Sequence, residues 1–255
     1  MQFVLINCRR FEMFGHHIAY SSTDYDYTYL IVVIILFIIT LIVQSAVNNR
    51  YNKYSKVVTK SGITGAEAAR MTMEAHGVTD VGIFRNDGQN LSDYYDPKTN
   101  GIYLSANTYQ APSVAAVGVA CHEAGHAIQA AENYGPYRLR RAIIPFASIS
   151  SKIAIPLIIA GLILSIFASF LKFLALAGII LFAVAVIAQL VTLPVEFDAS
   201  RRALANIASC NILTEEELKG AKSILSAAAM TYVVATLSAI VQLLRFISLF
   251  AGRRK

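Results

Sequence analysis

Residues 153–195 read IAIPLIIAGLILSIFASFLKFLALAGIILFAVAVIAQLVTLPV, and the reading of this stretch decides the fold. It holds two apolar blocks, Ile153 to Phe170 and Phe173 to Val195, separated by Leu171-Lys172. A membrane span needs about 20 apolar residues, so the pair is far too long for one crossing. A helical hairpin with Lys172 at its tip satisfies the backbone hydrogen bonds inside the lipid. Such a hairpin returns the chain to the face from which it entered. Residues before Ile153 and after Val195 then share one side of the membrane.

The rest of the chain agrees with a membrane protein. It is 56% hydrophobic, too apolar for an ordinary soluble domain, and its mean hydropathy is positive. Leu30 to Val47 forms another uncharged block of spanning length. It lies too far from the start, is too long and lacks the small-residue cleavage site of a signal peptide, so it is expected to stay as an anchor. A fourth block, Ala227 to Leu244, carries Thr231, Tyr232, Thr236, Ser238 and Gln242, with Arg245 just beyond. It reads as a span whose arginine snorkels to the interface; an amphipathic surface helix is the other reading.

On the face shared by the hairpin ends lies Cys121-His122-Glu123-Ala124-Gly125-His126-Ala127, inside a helix expected from Ser113 to about Asn133. Ser113 is its candidate N-cap, and Tyr134-Gly135-Pro136 supplies the stop. At 100° per residue His122 and His126 sit one turn apart on one helical face, so both imidazoles can hold one metal ion. Glu123 follows at the edge of that face, where a general base for a metal-activated water belongs. Burying two histidines and a glutamate at this spacing without a partner would be costly, which disfavours a merely structural core. The hairpin brings Glu196 to the same side and makes it the candidate third zinc ligand. A third histidine at the position of Glu132 is absent, and without a helix break Glu132 points away; it reads as a solvated helix-end charge. Cys121 is rotated off the ligand face and reads as a small core residue. Asp198 is a rival ligand or a support for one. Glu215-Glu216-Glu217 after Thr214 reads as a capped acidic first turn.

The segments Thr64 to Arg70, Leu91 to Pro97, His122 to Gln129 and Leu193 to Arg202 resemble the YugP-type family of bacterial membrane zinc metallopeptidases, from about Leu30 to Arg245. The likeness to HtpX-like and prenyl-protein-processing membrane proteases is looser. Those enzymes place their histidine pair before membrane helices and a glutamate ligand after them, which Glu196 matches. They carry an aspartate four residues beyond that glutamate, where this chain has Ser200, so Asp198 is the candidate to support a ligating histidine. The resemblance also implies an edge strand beside the metal helix that pairs with an extended substrate, and Ile102 to Ser105 is the candidate for it.

Between the first and second spans, residues 48–152 are long enough for a small domain. Thr64 with Glu67 forms a capping box, and the helix it starts runs to about His76, with Gly77 closing it. Strands are expected at Val81 to Arg85, before the turn Asn86-Asp87-Gly88, and at Gly101 to Ser105. His76, alone at a helix end, reads as structural.

Basic residues give the orientation. Arg50, Lys53, Lys56, Lys60, Arg138, Arg140, Arg141, Lys152, Arg201 and Arg202 flank the spans on the site's side, against Lys172, Arg253, Arg254 and Lys255 opposite, with Arg9 and Arg10 farther out. The positive-inside rule puts the site in the cytoplasm. Cys8, Cys121 and Cys210 offer no disulfide framework, in keeping with a reducing compartment. A net charge of +6 suits anionic lipid, and no nucleic-acid motif accompanies it. Residues 1–29 form an uninterpreted tail with His16-His17 expected across the membrane from His122, and Met13 is an alternative start.

The expected protein is thus mainly α, with about four transmembrane helices and a small zincin-like α+β metallopeptidase domain on one side. Its parts are a tail (1–29), a span (30–47), the zincin-like domain (48–152), the hairpin (153–195), a helical segment with the third ligand (196–226), a spanning or interfacial helix (227–250) and a basic tail (251–255). It would be a multi-pass cell-membrane hydrolase with one Zn²⁺ per chain on His122, His126 and Glu196. Glu123 would be the general base, the substrates would be membrane-associated proteins or peptides, and the likeness implies a role in quality control. Arg201, Arg202, Tyr134 and Tyr232 are the candidate oxyanion donors. A non-enzymatic scaffold pinned by structural zinc is the competing reading, although such sites usually fill all four positions with protein groups. A transporter is disfavoured, because the spans hold no acidic residue and no paired repeat.

Overall fold

The computed structural model describes residues 22–87 and 92–252. The N-terminal residues Cys8, Arg9, Arg10, Met13, His16 and His17, the turn residue Gly88, Leu91 and the tail Arg253-Arg254-Lys255 lie outside the described residues. The described residues fall into two compact units that divide between Ile39 and Thr40. The first includes the start of helix α1 (Ser22–Tyr54), where Leu30, Ile31, Ile34, Ile35, Phe37 and Ile38 are all exposed. An apolar surface of that kind is a burden in water and suits lipid.

The second unit is built around one buried helix. After α2 (Gly65–Glu74) come strands β1 (Gly82–Asn86), β2 (Tyr94–Asp96) and β3 (Gly101–Ser105), then α3 (Ala106–Gln110) and α4 (Val114–Ala131). The Thr64–Glu67 capping box that starts α2 is present in full. Ser113 caps α4 by accepting a hydrogen bond from the Ala116 N–H. From Val114 to Gln129 every residue of α4 except His122 is buried. Val114, Val117 and Cys121 pack against Ala68 of α2 and, farther along the chain, Ala203, Ile207, Ala221 and Leu225. Ala120, Ala124 and Ile128 pack on Ile102 and Leu104 of β3 and Met73 of α2. Full burial of a side chain such as Ile102 contributes about 1.5–3 kcal/mol, so this helix is held in place from both sides.

Three long helices follow: α5 (Gly135–Leu164), α6 (Lys172–Ser209) and α7 (Glu215–Gly252). The turn between α5 and α6 holds a short 3₁₀ segment, Ser169–Leu171, so Lys172 sits beside the hairpin tip. The hairpin helices approach very closely. A Cβ added to Gly161 would lie 2.1 Å from the Ala175 backbone nitrogen, the small-residue contact that lets helices pack tightly in lipid. Thr214 and Glu217 cap α7 reciprocally, as the acidic first turn predicted. By length and composition four helical stretches can cross a membrane: Tyr27–Tyr54, Gly135–Leu164, Ser169–Ser209 and Glu215–Gly252.

The long helices differ from the sequence reading in their limits. The Tyr134-Gly135-Pro136 stop ends α4 but also starts α5, because proline near the first helical position is preorganised for a helix. The residues from Gly135 to Lys152 therefore belong to the spanning helix. At the other end, α6 continues through Glu196 to Ser209 as a single helix, with Pro194 inside it.

The three strands form one sheet in the order β1-β3-β2. β3 pairs parallel with β1 (Ile83 with Ile102) and antiparallel with β2 (Tyr95 with Ile102). The expectation that Ile102 to Ser105 is a free edge for substrate is therefore incorrect: both sides of β3 are already hydrogen-bonded. The edge strand beside α4 is β2, three residues that the sequence reading did not see.

Candidate metal centre

His122 and His126 project from α4 towards Glu196 on α6. His122 Nε2 lies 3.3 Å from Glu196 Oε2, and His126 Nε2 lies 3.6 Å from Oε1. One ligand atom from each of the three falls within 4.8 Å of the others. A tetrahedral zinc with bonds of about 2.0–2.1 Å spaces its ligand atoms by about 3.4 Å, so the separations to Glu196 fit such an ion. A second observation agrees. Glu196 Oε2 is buried and has no hydrogen-bond partner among the described residues, despite the nearby imidazole. The three groups could therefore hold one metal ion.

Close backbone contact makes the convergence possible. A Cβ at Gly125 would stand 2.7 Å from the Ala199 carbonyl oxygen, so only glycine lets α4 lie this close to α6.

Both histidines have a partner at Nδ1, and the one at His126 has a defined direction. His126 Nδ1 lies 3.1 Å from Gln129 Oε1. The Gln129 amide is oriented because its Nε2 donates to the Val195 carbonyl at 2.9 Å and to Asp198 Oδ2 at 3.0 Å. Its oxygen must therefore accept from Nδ1–H, leaving Nε2 with a free lone pair for a metal. His122 Nδ1 lies 3.2 Å from Ser200 Oγ. Ser200 thus meets the His122 ring, and Asp198 reaches His126 through Gln129.

Glu123 is buried, and its Oε2 accepts a hydrogen bond of 2.9 Å from the backbone N–H of Tyr95 in β2. Burial pushes its carboxyl up to about 7, opposed by His122 and reinforced by the carboxylates of Glu196 and Asp93. A cavity of about 250 Å³ opens beside these groups, lined by His122, Glu123, Glu196, Asp93 and Tyr232 among others.

The remaining sequence candidates lie elsewhere. Arg201 pairs with Asp198 and is mostly exposed. Arg202 bridges Asp198 and Glu132, and its guanidinium lies over the Tyr134 ring, 5.6 Å from the centroid. None of Arg201, Arg202 and Tyr134 lines the cavity; of the named oxyanion candidates only Tyr232 does. Glu132 is not merely solvated: it also meets His76 Nδ1 at 3.2 Å, while His76 Nε2 lies 3.0 Å from Asn206 Oδ1. This network ties α2, α4 and α6 together and gives His76 its structural place. Cys121 is buried against the Thr72 hydroxyl, and burial pushes its thiol up to about 12, so it stays an unreactive core residue.

Two participants escaped the sequence reading. Arg140, by its sequence one of several basic residues flanking a span, places Nη1 3.1 Å from Glu196 Oε1 and compensates its charge. The Tyr95 N–H is a backbone group with no residue-type signature; its only sequence trace is the segment Leu91 to Pro97, which drew notice without a role.

Residues 29–251 match the family model described as "Putative neutral zinc metallopeptidase". The chain is 43% identical over 211 residues to the "Putative membrane protease YugP" of Bacillus subtilis (strain 168), covering 83% of this chain and 91% of that protein. No solved structure matches significantly. Together with four helices able to span a bilayer, these matches make this a membrane protein, and the chain belongs to the family described as putative neutral zinc metallopeptidases.

Proposed function

We propose that this protein is a membrane zinc endopeptidase that cuts protein or peptide substrates at the cytoplasmic membrane surface, in the manner of a quality-control protease. The observation that carries the reading is the convergence of His122, His126 and Glu196, with His122, Glu196 and the buried Glu123 lining one cavity. His122, His126 and Glu196 would hold zinc, which when bound polarises the scissile carbonyl and activates the attacking water. Glu123 accepts the proton of that water and delivers it to the leaving amine, with Tyr95 N–H holding the carboxylate in position. The Tyr232 hydroxyl serves as donor to the developing oxyanion. Arg140 keeps the buried Glu196 charge compensated. A scaffold with structural zinc would fill its fourth position with protein, whereas His122 and Glu196 border a cavity.

Purified protein stripped of metal by a chelator is expected to lose cleavage of an unfolded model protein and to regain it on adding zinc. Cleavage that persists after removal of all bound metal would refute the reading. The histidine support gives a second expectation. Gln129→Leu leaves His126 Nδ1 without its acceptor and is expected to weaken zinc binding about 10–100-fold, measured by competition with a chelating dye.

A further inference from the structure

We propose that the cavity beside Glu123 binds an apolar side chain of the substrate next to the cleaved bond, and that Ala228 and Ala229 of α7 set its size. The assignment rests on the peptidase reading and adds the chemical class of residue that the site selects. The cavity has two unlike kinds of lining: polar groups, among them His122, Glu123, Glu196 and Asp93, and the aliphatic Val47, Val119, Ile224, Leu225, Ala228 and Ala229. A peptide bond belongs against the polar lining, where the reacting groups are, and the adjoining side chain then meets an aliphatic wall.

Asp93, which lines the cavity, is held by a hydrogen bond of 2.7 Å from the Ser105 N–H to its Oδ1. With about 250 Å³, the space is smaller than a pocket for a drug-sized ligand and suits one side chain beside one peptide unit. Alanines 228 and 229 present only a methyl group each, so the volume in front of them is space that a longer side chain on α7 would take. The aliphatic wall comes largely from α7 and from Val47 of α1, two of the helices able to span the bilayer. Apolar segments leaving a membrane are therefore the chemistry this wall fits.

The test uses full-length, zinc-loaded Glu123→Gln protein in detergent and short labelled peptides that differ at one position flanking the cut: Leu, Phe, Ala or Asp. The same peptides are offered to the active protein for cleavage. Leu and Phe peptides are expected to bind at least about 10-fold more tightly than the Asp peptide, since a methylene or more in an apolar pocket is worth about 10–200-fold. Ala228→Leu, introduced at a partly exposed position, is expected to shift the preference towards Ala by about 10-fold with zinc content unchanged. Ala229→Leu at the buried neighbour should shift it the same way. Equal binding of Leu and Asp peptides, or an unchanged preference in zinc-loaded Ala228→Leu, would overturn the proposal. Selective binding without cleavage by the active protein would support the pocket while contradicting the peptidase reading.

Discussion

Glu123→Gln is expected to lower kcat for cleavage of an unfolded protein by about 10²–10⁴-fold while leaving zinc content unchanged. Such a loss corresponds to about 3–5 kcal/mol of transition-state stabilisation. Glutamine is nearly isosteric with glutamate, and its amide oxygen can still accept the Tyr95 N–H bond that now holds Oε2 at 2.9 Å. The neighbouring histidines therefore keep their geometry. What the substitution removes is the capacity to take a proton, which an amide lacks at neutral pH. The check is a turnover assay paired with metal analysis on one preparation. Cleavage within about 2-fold of the wild type would show that Glu123 is not the base, because even weak general-base catalysis contributes more than that.

Glu196→Gln is expected to act on the metal itself. It removes the anionic member of the trio, and zinc should dissociate more than about 100-fold more readily, exceeding the effect of losing a supporting group such as Gln129. It also strands Arg140, whose Nη1 now lies 3.1 Å from the Glu196 carboxylate. Breaking a buried pair from one side costs about 3–5 kcal/mol, less here because a quarter of the Arg140 side chain is exposed. The two effects separate in a double variant. Combining Glu196→Gln with Arg140→Met is expected to recover much of the thermal stability, at roughly 2–4 °C per kcal/mol, without recovering zinc. Full zinc occupancy in Glu196→Gln would remove Glu196 from the ligand set.

The parts of this molecule that rest on local pattern were legible in the sequence. Ser113 and Thr64 announced their helices through capping chemistry, and the spacing of His122 and His126 announced a shared helical face. The apolar hairpin was legible as well, and through it the meeting of His122 with Glu196, 74 positions apart in number, because lipid allows few ways to place 43 mostly apolar residues. Groups that act through packing or backbone left no such trace. The Tyr95 N–H belongs to a three-residue strand, too short to show alternation, and its partner Glu123 is chosen by the sheet packing on α4. Ile102 and Leu104 alternate in β3 as an edge strand might, yet only the pairing with both neighbours reveals a central one. Arg140 looked like its neighbours Arg138 and Arg141 in a basic cluster; the winding of α5 alone turns it towards Glu196. Gly125 fell inside the motif at a position where any residue satisfies the pattern, and only the contact with Ala199 shows why glycine stands there.

The most direct test of the metal centre is X-ray absorption at the zinc edge of the purified wild-type protein, together with its zinc content. The account predicts one zinc per chain, two imidazole nitrogens, and only oxygen or nitrogen in the remaining positions. Sulfur in the coordination shell, or a protein that binds no zinc, would contradict it.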